Sequence, residues 1–138
     1  MNLTATKGME YKDQGVTWYK DWRLQDIDTG KVYGIMIFNS RFAGDEHYIV
    51  NIHNPIHPDL GYYAAKSFSD RAEALAWARE QIENMREPTF GQLEQALKNI
   101  REWRYQDEIS DDFAYSNGKI ARWDDLERKI RAMMAKVA

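Results

Sequence analysis

The sequence predicts an α+β fold: a three- to four-stranded antiparallel meander packed on one helix, followed by a C-terminal helix–hairpin–helix unit. Three observations carry this expectation. Between Val16 and Phe68, short β-branched and aromatic runs alternate with clusters of Gly, Asp, Asn and Pro, as strands alternate with turns. After Ser69 the apolar residues recur at helical spacing. Beyond Pro88, two more helical stripes flank Asn117-Gly118, a pair that favours a tight hairpin turn.

Residues 1–15 are polar and punctuated by Gly8 and Gly15, and they read as a flexible N-terminal segment. In the stretch from Val16 to Asp28, Val16, Trp18, Trp22 and Leu24 share one parity, which suits a strand with one half-buried face. Asp28-Thr29-Gly30 is a turn signal, because glycine supplies a positive φ and aspartate a side-chain cap. Lys31 to Asn39 follows as a second strand. Its unalternated run Ile35–Phe38 fits a central strand covered on both faces. A third strand, His47 to His53, leads through a prolyl loop to a fourth over Tyr62–Phe68.

Ser69 caps a helix over residues 70–86, or Ser67 and Asp70 do so as a capping box. Leu75, Ala78, Ile82 and Met85 form its stripe. Trp77 falls off that stripe, nearly opposite Leu75 at about 100° per residue. It is expected beneath a second layer or exposed at a partner surface. Glu87-Pro88 ends the helix, since the residue before proline is driven out of helical geometry. Thr89 and Gln92 cap the next helix, striped by Phe90, Leu93, Leu97, Ile100 and Trp103 to about Gln106. A hairpin across residues 113–123 and a last helix capped by Asp124 and Glu127 complete the chain. The expected division is 1–15, 16–87 and 88–138, the last packed on the second as one domain.

Composition removes several function classes. With no cysteine there is no disulfide framework, no thiolate zinc site and no thiol nucleophile. The 19 basic and 22 acidic residues argue against a globally cationic nucleic-acid binder. No apolar run approaches the roughly 20 residues of a membrane span, and the start of the chain has no signal-peptide core. No membrane partner and a cytoplasmic location are therefore expected. There is no GxGxxG, no GxxxxGK[ST] and no GxSxG. Paired acids such as Asp111/Asp112 and Asp124/Asp125 sit near helix starts, where carboxylates complement the helix dipole. No catalytic residue and no cofactor are assigned, and the reading leans away from an enzyme.

The positive signal is aromatic. At 13% of the chain, the rings suit a large-ring core, and Trp, Tyr and Arg also anchor interfaces. Trp18, Trp22, Arg23, Lys31, Tyr33 and Trp77 are the candidate binding residues. The first expectation is a non-catalytic protein-interaction or regulatory factor, of the kind a phage or other mobile element encodes. Its partner is another protein, with a homodimer among the options. The pattern of residues 88–138 is loosely similar to that of small phage head–tail joining proteins; no motif is shared, and no family is identified from it.

The alternative is a nucleic-acid-binding accessory protein. Trp18, Tyr19, Trp22 and Tyr33 interleave with Lys20, Arg23 and Lys31 as on a base-stacking sheet face. The basic C-terminal helix, with Arg122, Arg128, Lys129, Arg131 and Lys136, is a second surface of that type. A third reading is a metal-dependent enzyme built on His47, His53 and His57, whose spacing matches no established ligand signature.

Overall fold

The computed structural model describes residues 1–109 and 113–137, with residues 113–117 described as backbone only. The chain forms two compact units, residues 1–86 and 87–138.

The first unit is a five-stranded antiparallel sheet whose strands neighbour one another in chain order. They are β1 (Leu3–Asp13), β2 (Val16–Asp26), β3 (Val32–Asn39), β4 (Tyr48–His53) and β5 (Tyr62–Phe68). A single helix, α1 (Arg71–Asn84), follows. The expected flexible segment is thus a strand, paired with β2 from Leu3↔Asp26 to Asp13↔Val16. Gln14 and Gly15 join the two strands with φ of 51° and 79°, the two-residue turn whose twist matches a hairpin. Polar residues dominate β1 because it is an edge strand, where charge discourages stray pairing. Leu3 and Ala5 still pack on the core.

The next turn is tied by Asp26 rather than Asp28. The Asp26 carboxylate accepts hydrogen bonds from the Asp28 N–H at 3.1 Å and the Thr29 hydroxyl at 3.2 Å.

Trp22, Leu24, Met36, Val50 and Ile52 point from the sheet toward Ala74, Ala78 and Ile82 of α1. The Asp70 side chain caps α1 by accepting from the Glu73 N–H at 3.0 Å. The stripe expected on Leu75 is displaced. Small alanines form its centre, so the helix backbone can approach the sheet closely. Leu75 and Trp77 flank that centre on either side, and both reach the core partly buried. Trp77 lies 5.6 Å from the Phe68 ring, inside its own unit. It needs no second layer to be half-covered.

In the second unit, the Thr89/Gln92 capping box opens α2 (Phe90–Glu108), and α3 spans Phe113–Val137. The hairpin expected across residues 113–123 is absent: the backbone there is continuous helix. The Asn-Gly signal is local, whereas Leu126 and Ile130 pack with Leu93, Leu97 and Ile100 in a helix-on-helix core. Extending the helix adds one backbone bond per residue, against a glycine penalty of about 1 kcal/mol at exposed Gly118. Arg101 meets Glu127 at 2.9 Å, Arg104 meets Asp124 at 2.7 Å, and the Trp123 indole donates to Asp107 at 2.6 Å. These descending pairs show that the two helices run antiparallel.

Near the β1–β2 turn, Glu10 accepts from the Lys7 ammonium at 2.7 Å and the Thr17 hydroxyl at 2.9 Å. Those two bonds, the Lys7 bond first, hold its carboxyl at about 2, down from 4.5. A carboxyl depressed on folding stabilises the fold above its unfolded value and loses that contribution as it protonates. The melting-temperature difference between the wild type and Glu10→Gln is therefore expected to hold near neutrality. It should shrink below pH 4.5 and vanish near pH 2. Asp26, held low chiefly by the Asp28 N–H, loses its contribution with the same sign, so the variant retains part of the acid sensitivity. A pH-independent difference would contradict this assignment.

Candidate functional site

Two irregularities in the β1–β2 ladder shape the sheet face opposite α1. Pairing jumps from Lys7↔Trp22 to Glu10↔Lys20, so Gly8 and Met9 form a bulge on β1. The buried Asp21 carboxylate fills that bulge. One of its oxygens accepts the Met9 N–H at 3.0 Å, and the other accepts the Tyr19 hydroxyl at 2.9 Å. Gly8 leaves room for this, because a Cβ there would overlap the Asp21 carboxylate.

The second jump, from Tyr11↔Tyr19 to Lys12↔Thr17, makes Trp18 an extra residue on β2. Adjacent side chains of a regular strand point to opposite faces. The bulge cancels that alternation, and the Trp18 and Tyr19 rings lie 5.9 Å apart. Tyr11 stacks on Trp18 at 5.6 Å and also lies 5.6 Å from Tyr19. The Arg41 guanidinium sits 3.8 Å above the Trp18 ring. Two short contacts fix this group: the Ser40 N–H donates to the Trp18 carbonyl at 2.9 Å, and the Arg41 N–H donates to the Asn39 side chain at 2.9 Å. Burial, and then the Asp21 hydrogen bond, raise the Tyr19 phenol above its usual pKa, so it remains a neutral donor.

From Tyr19 the same face continues across the sheet. The register aligns Asp21, Ile37, Ile49 and Ser67 in one row, and Arg23, Ile35, Asn51 and Ala65 in the next. Ile35, Ile37 and Ile49 are half-buried. Within the first unit, central strand β3 is thus covered by α1 on one face, not on both as its apolar run implies.

The structure separates the residues that the sequence groups together. Trp18 and Arg23 lie on the face opposite α1. Trp22 is 7% exposed and lies in the core, with Lys20 at 5.2 Å and Arg71 at 5.1 Å from its ring. The one-residue bulge at Trp18 is what breaks the shared parity of the two tryptophans. Lys31 and Tyr33 stand elsewhere, beside a cleft also lined by His53 and His57. Trp77 is on the rim of the core.

His47 packs its ring edge-on against Phe38 at 6.3 Å, away from that cleft. Among the described residues, no three His, Cys, Asp or Glu side chains are placed to hold a metal ion. On α3, Arg128 and Lys129 pair with Asp125, and Arg131 approaches Glu127 at 3.9 Å, so intrahelical acids offset its basic face. No helix among the described residues is long and apolar enough to cross a membrane.

Tyr11, Asp21, Arg41 and the three isoleucines are the members of this surface that the sequence reading missed. Gln14-Gly15 between two aromatic-bearing runs is the sequence signal that could have paired β1 with β2 and brought Tyr11 beside Trp18 and Tyr19. Comparison with protein families, curated proteins and solved structures finds no match to this chain.

Proposed function

We propose that the protein is a non-catalytic interaction or regulatory factor that binds another protein through the sheet face opposite α1. The observation that carries this reading is the continuity of that face. The stacked Tyr11, Trp18 and Tyr19 rings adjoin half-buried Ile37 and Ile49, with Arg23, Asn39 and Asn51 around them. An apolar centre with a polar rim is the usual anatomy of a protein interface. Trp, Tyr and Arg are the residues that most often dominate its energetics. Because Tyr11, Trp18 and Arg41 are already stacked, binding orders few additional rotamers, which lowers the entropic cost of association.

Base stacking of a single strand is the competing use of such rings. Asp21 on the same face and the removal of Lys20 and Trp22 to the other face weigh against it.

The test is affinity capture from cells that express the protein, using wild type, Trp18→Ala, Ile37→Ala and the control Glu80→Ala on α1. A protein partner is expected to bind wild type and the control equally, and to bind Trp18→Ala at least about tenfold more weakly. Equal binding by all four chains overturns the assignment of the face. Salt-dependent binding of labelled single-stranded DNA that Trp18→Ala abolishes overturns the partner class instead.

A further inference from the structure

The β4–β5 loop forms a cleft that lies apart from the proposed interface. Its volume is about 170 Å³, and its lining includes Lys31, Tyr33, His53, Asn54 and His57. Val32, Ile56, Pro58 and Met85 supply apolar walls. We propose that this cleft binds a small organic monocarboxylate with a compact apolar body, an acid of benzoate size.

The charge of the lining is the first argument. In a chain with net charge −3, the cleft collects one lysine and two histidines, and no aspartate or glutamate lines it. Among the described residues no carboxylate lies within ion-pair reach of Lys31. Its ammonium stands 4.8 Å from the centre of the Tyr33 ring. That contact holds the cation at the cleft while leaving its hydrogen-bonding capacity for an anion. The Lys31 backbone is itself anchored, since its N–H donates to the Thr29 hydroxyl and its carbonyl accepts the Asp26 N–H at 2.9 Å.

The second argument is donor geometry. His57 Nδ1 accepts the Asp59 N–H at 3.1 Å, so in the neutral ring Nε2 carries the hydrogen and acts as a donor. The Asp59 carboxylate lies 3.7 Å from the same Nδ1, on the imidazole rather than in the cleft lining. Asn54 Oδ1 accepts the Ile56 N–H at 2.9 Å, which leaves the Asn54 amide NH₂ as a further donor. Burial lowers the pKa of His53, so at neutral pH this ring offers a neutral polar wall and Lys31 supplies the positive charge.

Size is the third argument. The cleft is smaller than the roughly 300–1,000 Å³ of sites that take drug-sized molecules. One carboxylate on Lys31 and the His57 donor, with a short apolar body against Ile56 and Met85, matches both its volume and its chemistry. The loop is pinned for this role: the Asn54 N–H donates to the Gly61 carbonyl at 3.2 Å, and Gly61 adopts a φ of 97° that other residues rarely reach.

The experiment titrates the full chain with benzoate, with its neutral isostere benzamide and with inorganic phosphate, following the His53 and His57 ring resonances by NMR. Saturable benzoate shifts are expected, with benzamide and phosphate each binding at least about tenfold more weakly. Lys31→Gln should weaken benzoate by a similar factor, and Lys31→Arg should restore most of it. Lys31 is exposed, so neither substitution threatens the fold. Benzamide binding as tightly as benzoate removes the charge argument, and phosphate binding as tightly removes the apolar one. Unchanged affinity in Lys31→Gln, or no saturable shift with benzoate, overturns the site itself.

Discussion

Replacing Gly34 with alanine is expected to destabilise the sheet by about 3 kcal/mol, the upper end of what overpacking a core costs. Gly34 pairs between Leu24 of β2 and Ile52 of β4, and all three residues are buried. An added Cβ would collide with the Asn51 carbonyl oxygen and lie 3.1 Å from the Ile52 Cα. Both are backbone atoms of a paired neighbouring strand, so no side-chain rotation relieves the clash. Gly8 is different, because its neighbour is the end of the Asp21 side chain, which can shift. Urea denaturation of Gly34→Ala checks the expectation. A change below about 0.5 kcal/mol, the range of ordinary surface substitutions, would mean that the β3–β4 approach is looser than described.

The second large effect concerns α1. Ala78→Leu is expected to lower stability by about 1–3 kcal/mol, although it adds an aliphatic group to the apolar face of a helix. Ala74 and Ala78 are fully buried where α1 meets the sheet, and a larger side chain must push the helix outward. Leu75→Ala should cost less than the roughly 2–5 kcal/mol of a full core truncation, because Leu75 is only partly buried on the flank. Denaturation midpoints of the two variants decide between close packing on the alanines and packing on Leu75. Stabilisation by Ala78→Leu would favour the latter.

The same pair of positions shows why the sequence was only partly legible. Helical periodicity marks a helix over residues 70–86 where α1 spans 71–84, but it weights large residues, and two of the fully buried positions here are alanines. Strands β2 to β5 were readable because β-branched runs sit between glycine, aspartate and proline turns. β1 was not: an edge strand bears charge where a buried strand would be apolar, and Gln14-Gly15 is a less familiar turn pair than Asn-Gly. Conversely, Asn117-Gly118 carries the stronger turn signal and lies within α3, because the downstream stripe docks on α2.

The candidate interface was hidden for a related reason. Alternation assigns Trp18 and Trp22 to one face, and only a single extra residue in the β1–β2 pairing sends them to opposite sides. Nothing in the composition of β2 announces that bulge. Lys31 and Tyr33 belong to the aromatic and basic pattern in the sequence and His53 and His57 to the histidine cluster, and only the fold brings all four to one cleft.

The kink at Gly8–Met9 bears on how the molecule behaves when crowded. A straight edge strand is a template onto which a stray chain can add, and repeated addition leads to fibrils. At β1 the template is interrupted, since the ladder skips between Lys7 and Glu10 and the Asp21 carboxylate holds the Met9 N–H. An arriving strand would find two short, mismatched stretches of backbone instead of one long one. The carboxylate that positions Tyr19 thus also fills the bulge that breaks the regular backbone ladder of this edge strand, a device that discourages edge-to-edge pairing.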